Sequence, residues 1–337
     1  MNYKKKIFSV TTMTPHRISF AGGGSDYPEY FNLHGGSVIN STIDKYLLVT
    51  VSRHSEIHRE KYRLMYSKTE LCNQISEIKN NIARECLKLV PVDAPLTIST
   101  NSDLPTDSGT GSSSSFAVGL LNALHLFRGE NPSSFQLARE ACNIEIDKLK
   151  KNSGKQDQYA AAYGGFNNFL FEKKNEVIIK PINMKNENIK KFFSNIVLLW
   201  TGIARNSSKI VKDYKFKNEK TKVNLGEIKK FVKPFKYSIE KDKINYKKVS
   251  SLIEESWELK KKISKKISNE KLEKYSLKLH KIGINGHRII GAGGGGFFLC
   301  FANPSKQKII SKIFNKDIIM KVRHEPLGSR PISIVYN

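Results

Sequence analysis

The sequence predicts an α+β protein of two domains, and three features of its 337 residues carry that reading. The first third is rich in β-branched and aromatic runs broken by glycine, two helices with apolar faces follow, and beyond residue 205 the chain turns lysine-rich and helical before returning to short strands. Its length suffices for two cores of ordinary size, and a hydrophobic fraction of 39% with 10% aromatics is that of a folded chain. The boundary falls near 185–195, which gives an N-terminal unit over 1–190 and a C-terminal α+β unit over 191–337.

Residues 7–20 read as a strand leading into the turn Ala21-Gly22-Gly23-Gly24-Ser25-Asp26-Tyr27, and 36–53 as a second β region. From Ser112 the spacing of Phe116, Leu120, Leu121, Leu124 and Phe127 is helical, and Gly129 stands where a helix-stopping glycine belongs, so a helix is expected over 112–128. Asn131 as N-cap and Pro132 in the first turn open a second helix over 132–149, with Leu137, Ala138, Ala141, Ile144 and Leu149 on one face. After a glycine-punctuated loop at 152–165, strands are expected at 166–171, 176–181 and 195–201. Residues 206–283 read as helical, and 287–337 as short strands around one helix at 305–315.

The chain holds 57 Lys and Arg against 31 Asp and Glu, a formal net charge of +26 that draws anions of any kind. The lysines are spread over polar helix faces, as in 260–266 and 271–281, and no basic patch interleaved with aromatics is visible. A nucleic-acid partner is therefore the remote reading, and a solvated surface or an anionic small substrate the nearer ones. Cys72, Cys86, Cys142 and Cys300 lie far apart without metal-ligand spacing, which fits a reducing cytoplasm. The apolar stretch Ile7 to Val10 is too short for a signal segment and no window reaches the length of a membrane span, so a cytoplasmic chain with no membrane partner is expected.

The segment Pro105-Thr106-Asp107-Ser108-Gly109-Thr110-Gly111-Ser112-Ser113-Ser114-Ser115 follows a strand-like run, Leu96–Thr100, and opens directly into an apolar helix. Small residues let main-chain N–H groups converge on a phosphate, and the positive end of the helix dipole adds to them. Hydroxyls of Ser112 and its neighbours can reach phosphate oxygens or Mg2+. The blander reading is a serine N-cap behind a flexible linker, but a linker would not run straight into so apolar a helix. The Walker sequence G-x-x-x-x-G-K-[ST] is absent, and although Gly291, Gly293 and Gly296 satisfy G-x-G-x-x-G, the residues after them, Phe297–Phe301, read as a strand and not as the helix a dinucleotide fingerprint must open. The run Gly291–Gly296 is then a turn between strands that comes close either to a ligand or to another backbone. In a last loop, Gly154-Lys155-Gln156-Asp157-Gln158-Tyr159, a carboxylate stands beside a lysine, and a carboxylate held near a cation stays ionised and can accept a proton from a hydroxyl. Taken alone, Asp157 reads as the N-cap of the turn that follows and Glu145 as a solvated helix residue.

In this order the segments resemble the GHMP kinases, the family of galactokinase, homoserine kinase, mevalonate kinase and phosphomevalonate kinase. Pro15 through Tyr27, Leu104 through Ser115 and Gly291 through Gly296 carry the likeness, the second most specifically, and it runs from about residue 12 to the last strand. Gly154 through Asn167 and Thr201 through Arg205 extend it toward D-glycero-α-D-manno-heptose 7-phosphate kinases, with the fucokinase domain next. Gly23 and Gly24 depart from the galactokinase form, which has Glu and His there, and leave room for a larger sugar.

The resemblance implies an N-terminal α/β domain of the ribosomal-protein-S5 type, a C-terminal ferredoxin-like domain and an active site between them. It implies ATP with Mg2+, and a sugar phosphate as acceptor, heptose 7-phosphate converted at its anomeric hydroxyl to the 1,7-bisphosphate for nucleotide-activated heptose and surface polysaccharide. A fucokinase-like kinase of an unphosphorylated sugar is the alternative. By position, Ser112 and Glu145 match the Mg2+ ligands, Ser108 through Ser115 the nucleotide loop, Asp157 the catalytic base, and Asp26 a carboxylate for sugar hydroxyls, with Gly22, Gly23 and Gly24 beside it. Arg17 and Lys155 would supply positive charge at the reacting centre, and Gly293, Gly294 and Gly295 would approach the substrate. For a phosphate on the acceptor the expected cations are, in order, Arg205, Lys155, His16 and Arg17.

Overall fold

The computed structural model describes residues 6–204, 207–315 and 318–337. Strand β1, Ile7–Ala21, alternates between buried and part-exposed residues at its start and is buried on every residue from Thr14 onward, the pattern of a strand that runs from a sheet edge into a fully covered interior. After helix α1 (Pro28–His34), β2 (Gly36–Arg53) pairs along nearly its whole length with β1. Then come β3 (Tyr62–Met65), β4 (Thr69–Cys72), α2 (Asn81–Leu89), β5 (Leu96–Ser102), α3 (Ser112–Phe127), α4 (Ser134–Cys142), α5 (Gln156–Tyr163), β6 (Phe166–Phe171) and β7 (Val177–Pro181). β2 pairs with β5 through its second half and with β6 through its first, so one long strand organises the sheet. α3 is buried on almost every side, as its run of Leu, Ala, Val and Phe requires.

The second part holds α6 (Asn186–Ser194), β8 (Ile196–Trp200), α7 (Ser207–Val211), α8 (Glu219–Lys230), α9 (Val232–Ile239), α10 (Tyr246–Lys261), α11 (Glu270–Lys281), β9 (His287–Ile289), β10 (Phe297–Phe301), α12 (Pro304–Ile313), β11 (Ile319–Lys321) and β12 (Arg330–Tyr336). Four of these strands form an antiparallel sheet in the order β11-β8-β10-β9. The expected strands and helices are present within a residue or two of their ends. Two details differ. The helix expected over 132–149 is capped by Ser133, whose hydroxyl accepts from the Gln136 amide, and not by Asn131, and beyond Cys142 it widens into a π turn over Asn143–Lys148. The final strand, expected with the second unit, instead returns to the first sheet and pairs antiparallel with β1, covering the edge hydrogen-bonding groups that Ile7 to Met13 would otherwise expose.

The two sheets share a core. Phe20 of β1 packs its ring against Phe166, Phe192, Phe193 and Phe235, joining the first sheet to α6 and α9 of the second part. All four cysteines are buried and unpaired, and among the described residues no helix is long and apolar enough to cross a membrane. Phe20→Ala is expected to cost about 3–5 kcal/mol of stability, read as a fall in denaturant midpoint, because a cavity opens where both parts of the core meet.

Candidate active site

Neighbouring residues of a strand point to opposite faces, so the Pro15-His16-Arg17-Ile18-Ser19 stretch of β1 presents Arg17 and Ser19 to one side and His16 to the other. Arg17 and Ser19 face a cleft between the two parts of the fold. There Arg17 makes a two-pronged ion pair with Asp157, Nε to Oδ1 and Nη2 to Oδ2 both at 2.7 Å, while Nη1 donates to the carbonyl of Gly109 at 2.5 Å. The Arg17 amide donates to Thr110 O at 3.0 Å. Gly111, at φ 81° in the left-handed region, brings the end of the same loop against the pair: a Cβ placed on it would lie 3.4 Å from the Asp157 carboxylate and 3.5 Å from Arg17 Cγ. Burial raises the Asp157 carboxyl above the usual aspartate range, Arg17 opposes that shift, and Asp26 adds to it.

Asp157 is not the cap of its own helix. Lys155, the residue at the N-cap of α5, makes no side-chain cap, and the task falls to Asp26, whose Oδ2 accepts from the Gln156 amide at 3.3 Å while Oδ1 accepts from Gly24 N at 3.0 Å. Gly154 is glycine because a Cβ there would lie 1.9 Å from that carboxylate. Asp26 thus ties the glycine turn of residues 22–26 to α5 and still borders the cleft.

α3 opens the cleft's other wall with Ser112, Ser113 and Ser114, after Ser108, Gly109 and Gly111. Glu145, turned inward on the π turn and 1% exposed, accepts from Ser113 Oγ, from Ser114 Oγ at 2.6 Å and from Gln158 Nε2 at 2.8 Å. Lys151 Nζ stands 3.1 Å from Glu145 Oε1 and 2.8 Å from Ser113 Oγ, a cation at the mouth of the helix. It is Ser113, not Ser112, whose hydroxyl meets Glu145; Ser112 Oγ lies 3.4 Å from Thr110 Oγ1. Among the described residues no three acidic, His or Cys side chains gather into a complete metal cage. One carboxylate among serine hydroxyls beside a phosphate loop fits Mg2+, which prefers one or two carboxylates plus phosphate oxygens and water.

Several expected residues fall outside the cleft. His16 is fully buried between Ser102 and Thr110, and burial pulls its pKa down to about 4, so it is neutral and carries no anion. The Lys155 ammonium lies 5.3 Å from the centre of the Phe31 ring, and the lysine of this loop that borders the cleft is Lys151. Thr110 and Ser115 brace the loop from behind, Thr110 Oγ1 on Ser108 Oγ at 2.9 Å and Ser115 Oγ on Pro15 O at 3.0 Å. Gly22 packs on the Ser37 carbonyl, whereas Gly23 and Gly24 line the cleft. Gly293, Gly294 and Gly295 press on Ile267, Ile210 and Ile203, so the close approach that demands glycine there is to protein and not to substrate. The hairpin still serves the site: Phe297 N donates to Ser108 O at 3.3 Å, and Gly291 and Ala292 border the cleft. Arg205 lies outside the described residues.

Sequence reasoning missed Ser19, Lys151, Gln156, Lys260 and Arg288, all at the cleft. For Arg288 a signal existed: an arginine inside the short run His287-Arg288-Ile289-Ile290, directly before a glycine run and an apolar strand, is a charge in a place where charges are rarely left without purpose.

Residues 73–165 match the N-terminal domain of the GHMP kinases. The D-glycero-alpha-D-manno-heptose 7-phosphate kinase of Campylobacter jejuni is 31% identical over 331 residues, 92% of this chain and 94% of that protein. Galactokinase of Pyrococcus furiosus is 21% identical over 93% of this chain and 94% of its own length. The crystal structure of a D-glycero-D-manno-heptose 1-phosphate kinase from Bacteroides thetaiotaomicron has the same fold, with a TM-score of 0.76 over 97% of this chain and 99% of that one at 23% identity.

Because Arg17 is the cation that holds the Asp157 carboxyl down against burial, Arg17→Gln is expected to move that carboxyl's pKa further up. A carboxyl-carbon NMR titration of the two proteins reads the shift, and an unmoved or lowered value would remove the ion pair from the account.

Proposed function

The chain belongs to the GHMP kinase family as an ATP-dependent sugar kinase, and on that footing we propose that its acceptor is D-glycero-α-D-manno-heptose 7-phosphate, phosphorylated on the anomeric hydroxyl at C1. The observation that carries the reaction is the contact of Gly111 with the Arg17–Asp157 pair, which sets a carboxylate at the mouth of a phosphate-binding helix. The heptose rests on the relative that is 31% identical and on glycine at 23 and 24, which line the cleft without side chains. Residues 1–190, completed by β12, form the nucleotide-binding domain, and the remainder of 191–337 the second domain.

Phosphoryl transfer asks a protein mainly for positioning and for positive charge around the moving group. The amides of residues 109–114 and the positive end of α3 receive the nucleotide's phosphates, with Lys151 beside them. Glu145 with the hydroxyls of Ser113 and Ser112 would hold Mg2+, which when bound neutralises phosphate oxygens. Arg17 fixes the Asp157 carboxylate by both oxygens, and each oxygen keeps a second lone pair for a hydroxyl. Asp157 takes the proton of the attacking hydroxyl. The anomeric hydroxyl is more acidic than an ordinary alcohol, so its orientation counts for much of the rate. The glycine turn at Gly23 and Gly24 and the Asp26 carboxylate border the space left for the sugar.

Asp157→Asn is expected to lower kcat by about 100-fold or more while an ATP analogue with magnesium still binds; near-normal turnover would reject Asp157 as the base. With the Asp157 carboxyl raised, the acidic limb of kcat/KM falls above the ordinary aspartate range, and an acidic limb within that range would contradict the assignment. An ADP-release screen over hexoses, heptoses and their terminal phosphates tests the acceptor, and a preference for an unphosphorylated sugar such as fucose overturns the heptose phosphate.

A further inference from the structure

With the acceptor read as a sugar phosphate, we infer that Arg288 is the receptor for the phosphate that the sugar already carries, on the wall of the cleft supplied by the second part of the chain. Arg288 stands on β9 and is 2% exposed. Its Nη1 donates to the Phe20 carbonyl at 3.2 Å, while its Nε is buried without a hydrogen-bond partner. No carboxylate among the described residues lies within ion-pair reach of it, in contrast to Arg17 on Asp157 and Arg330 on Glu325. A guanidinium stays charged, so a buried one facing a cleft without a counter-ion calls for an anion from the ligand.

Around it a small chamber is left open. Gly23 has no left-handed backbone to require glycine, yet a Cβ there would lie 3.2 Å from Ser19 Oγ, 3.8 Å from Gln156 Nε2 and 3.9 Å from Arg288 Nη2. Ser19 Oγ and Gln156 Oε1 are, like Arg288 Nε, buried and without partners. Three side chains that border this gap each carry a buried polar atom without a partner, which is costly in an empty protein and is matched by a group with several acceptor oxygens and adjoining hydroxyls. Lys260 borders the same cleft and holds the carbonyl of Gly291. Burial takes the Arg288 pKa down to about 10, and Arg17 contributes in the same direction, so Arg288 keeps its charge at neutral pH. The other expected cations are engaged: Arg17 with Asp157, Lys155 over Phe31, and His16 neutral in the interior. The acceptor therefore lies with its reacting hydroxyl toward Asp157 and its phosphate over Gly23.

The test compares kcat/KM for heptose 7-phosphate and for the unphosphorylated heptose in the wild type, Arg288→Met, Arg288→Lys and Gly23→Ala. The expected result is a KM for the phosphate about 10- to 100-fold higher in Arg288→Met, a smaller rise in Arg288→Lys, and a preference ratio between the two sugars that falls toward one. Calorimetric binding of an ATP analogue reports whether each variant is folded. If Arg288→Met does not fold, Gly23→Ala decides, since it narrows the chamber and leaves the charge: a weakened preference for the phosphate supports the site, and an unchanged one overturns it. A wild type that prefers the free sugar sinks the sugar-phosphate reading itself. A wild type that prefers the phosphate, with variants that keep the preference, sinks Arg288 alone.

Discussion

The ion pair between Arg17 and Asp157 is the contact on which the site depends, because it joins three pieces of chain that are remote in sequence. Arg17 comes from the first strand, Asp157 from the first turn of α5, and the third prong of the guanidinium holds the Gly109 carbonyl of the phosphate loop. Losing any one of the three would leave a buried charge or an unpaired carbonyl in the cleft. The same contact places the Asp157 carboxylate against Gly111, the residue from which α3 starts.

Each carboxylate in the cleft has a distinct setting, and the settings separate their roles. Asp157 is gripped on both oxygens by one arginine, and burial raises its carboxyl above the usual aspartate range. Glu145 accepts from two serines, an amide and a lysine, which fixes its position next to the helix mouth. Asp26 spends its oxygens on backbone amides and acts as the missing cap of α5. Positive charge is spaced likewise, with Lys151 by the serines, Arg17 at the centre, and Arg288 and Lys260 on the wall supplied by the second part of the chain. The large net charge of +26 surrounds this arrangement, but the cations at the cleft are three buried ones, Arg17, Lys260 and Arg288, and the half-buried Lys151, and not the exposed lysines of the helix surfaces.

Where the reading of residues went astray, the cause was a direction and not a residue type. His16 and Arg17 are adjacent, and only the pleat of β1 decides that one enters the interior and the other the cleft. Lys155 and Asp157 share a loop, yet the start of α5 turns the lysine onto Phe31 and the aspartate to Arg17. The glycines at 293–295 do mark a close approach, as glycine in a turn should, but what approaches is Ile203, Ile210 and Ile267. Ser133 outcompeted Asn131 as a cap because its hydroxyl is the one in reach of the Gln136 amide.

Local information was enough for the class of fold, for the strands and helices and for the glycine-serine loop that opens α3, and it singled out Arg17, Asp157 and Glu145, which the fold brings to one cleft, since periodicity, turn glycine and charge beside small residues are properties of short stretches. The return of β12 to the edge of the first sheet, the capping of α5 by Asp26, and the appearance of Lys151, Gln156 and Arg288 in one cleft are pairings across long separations. No short window contains both partners of such a contact. Which side chains meet there was settled only when two sheets closed on the shared aromatic core around Phe20.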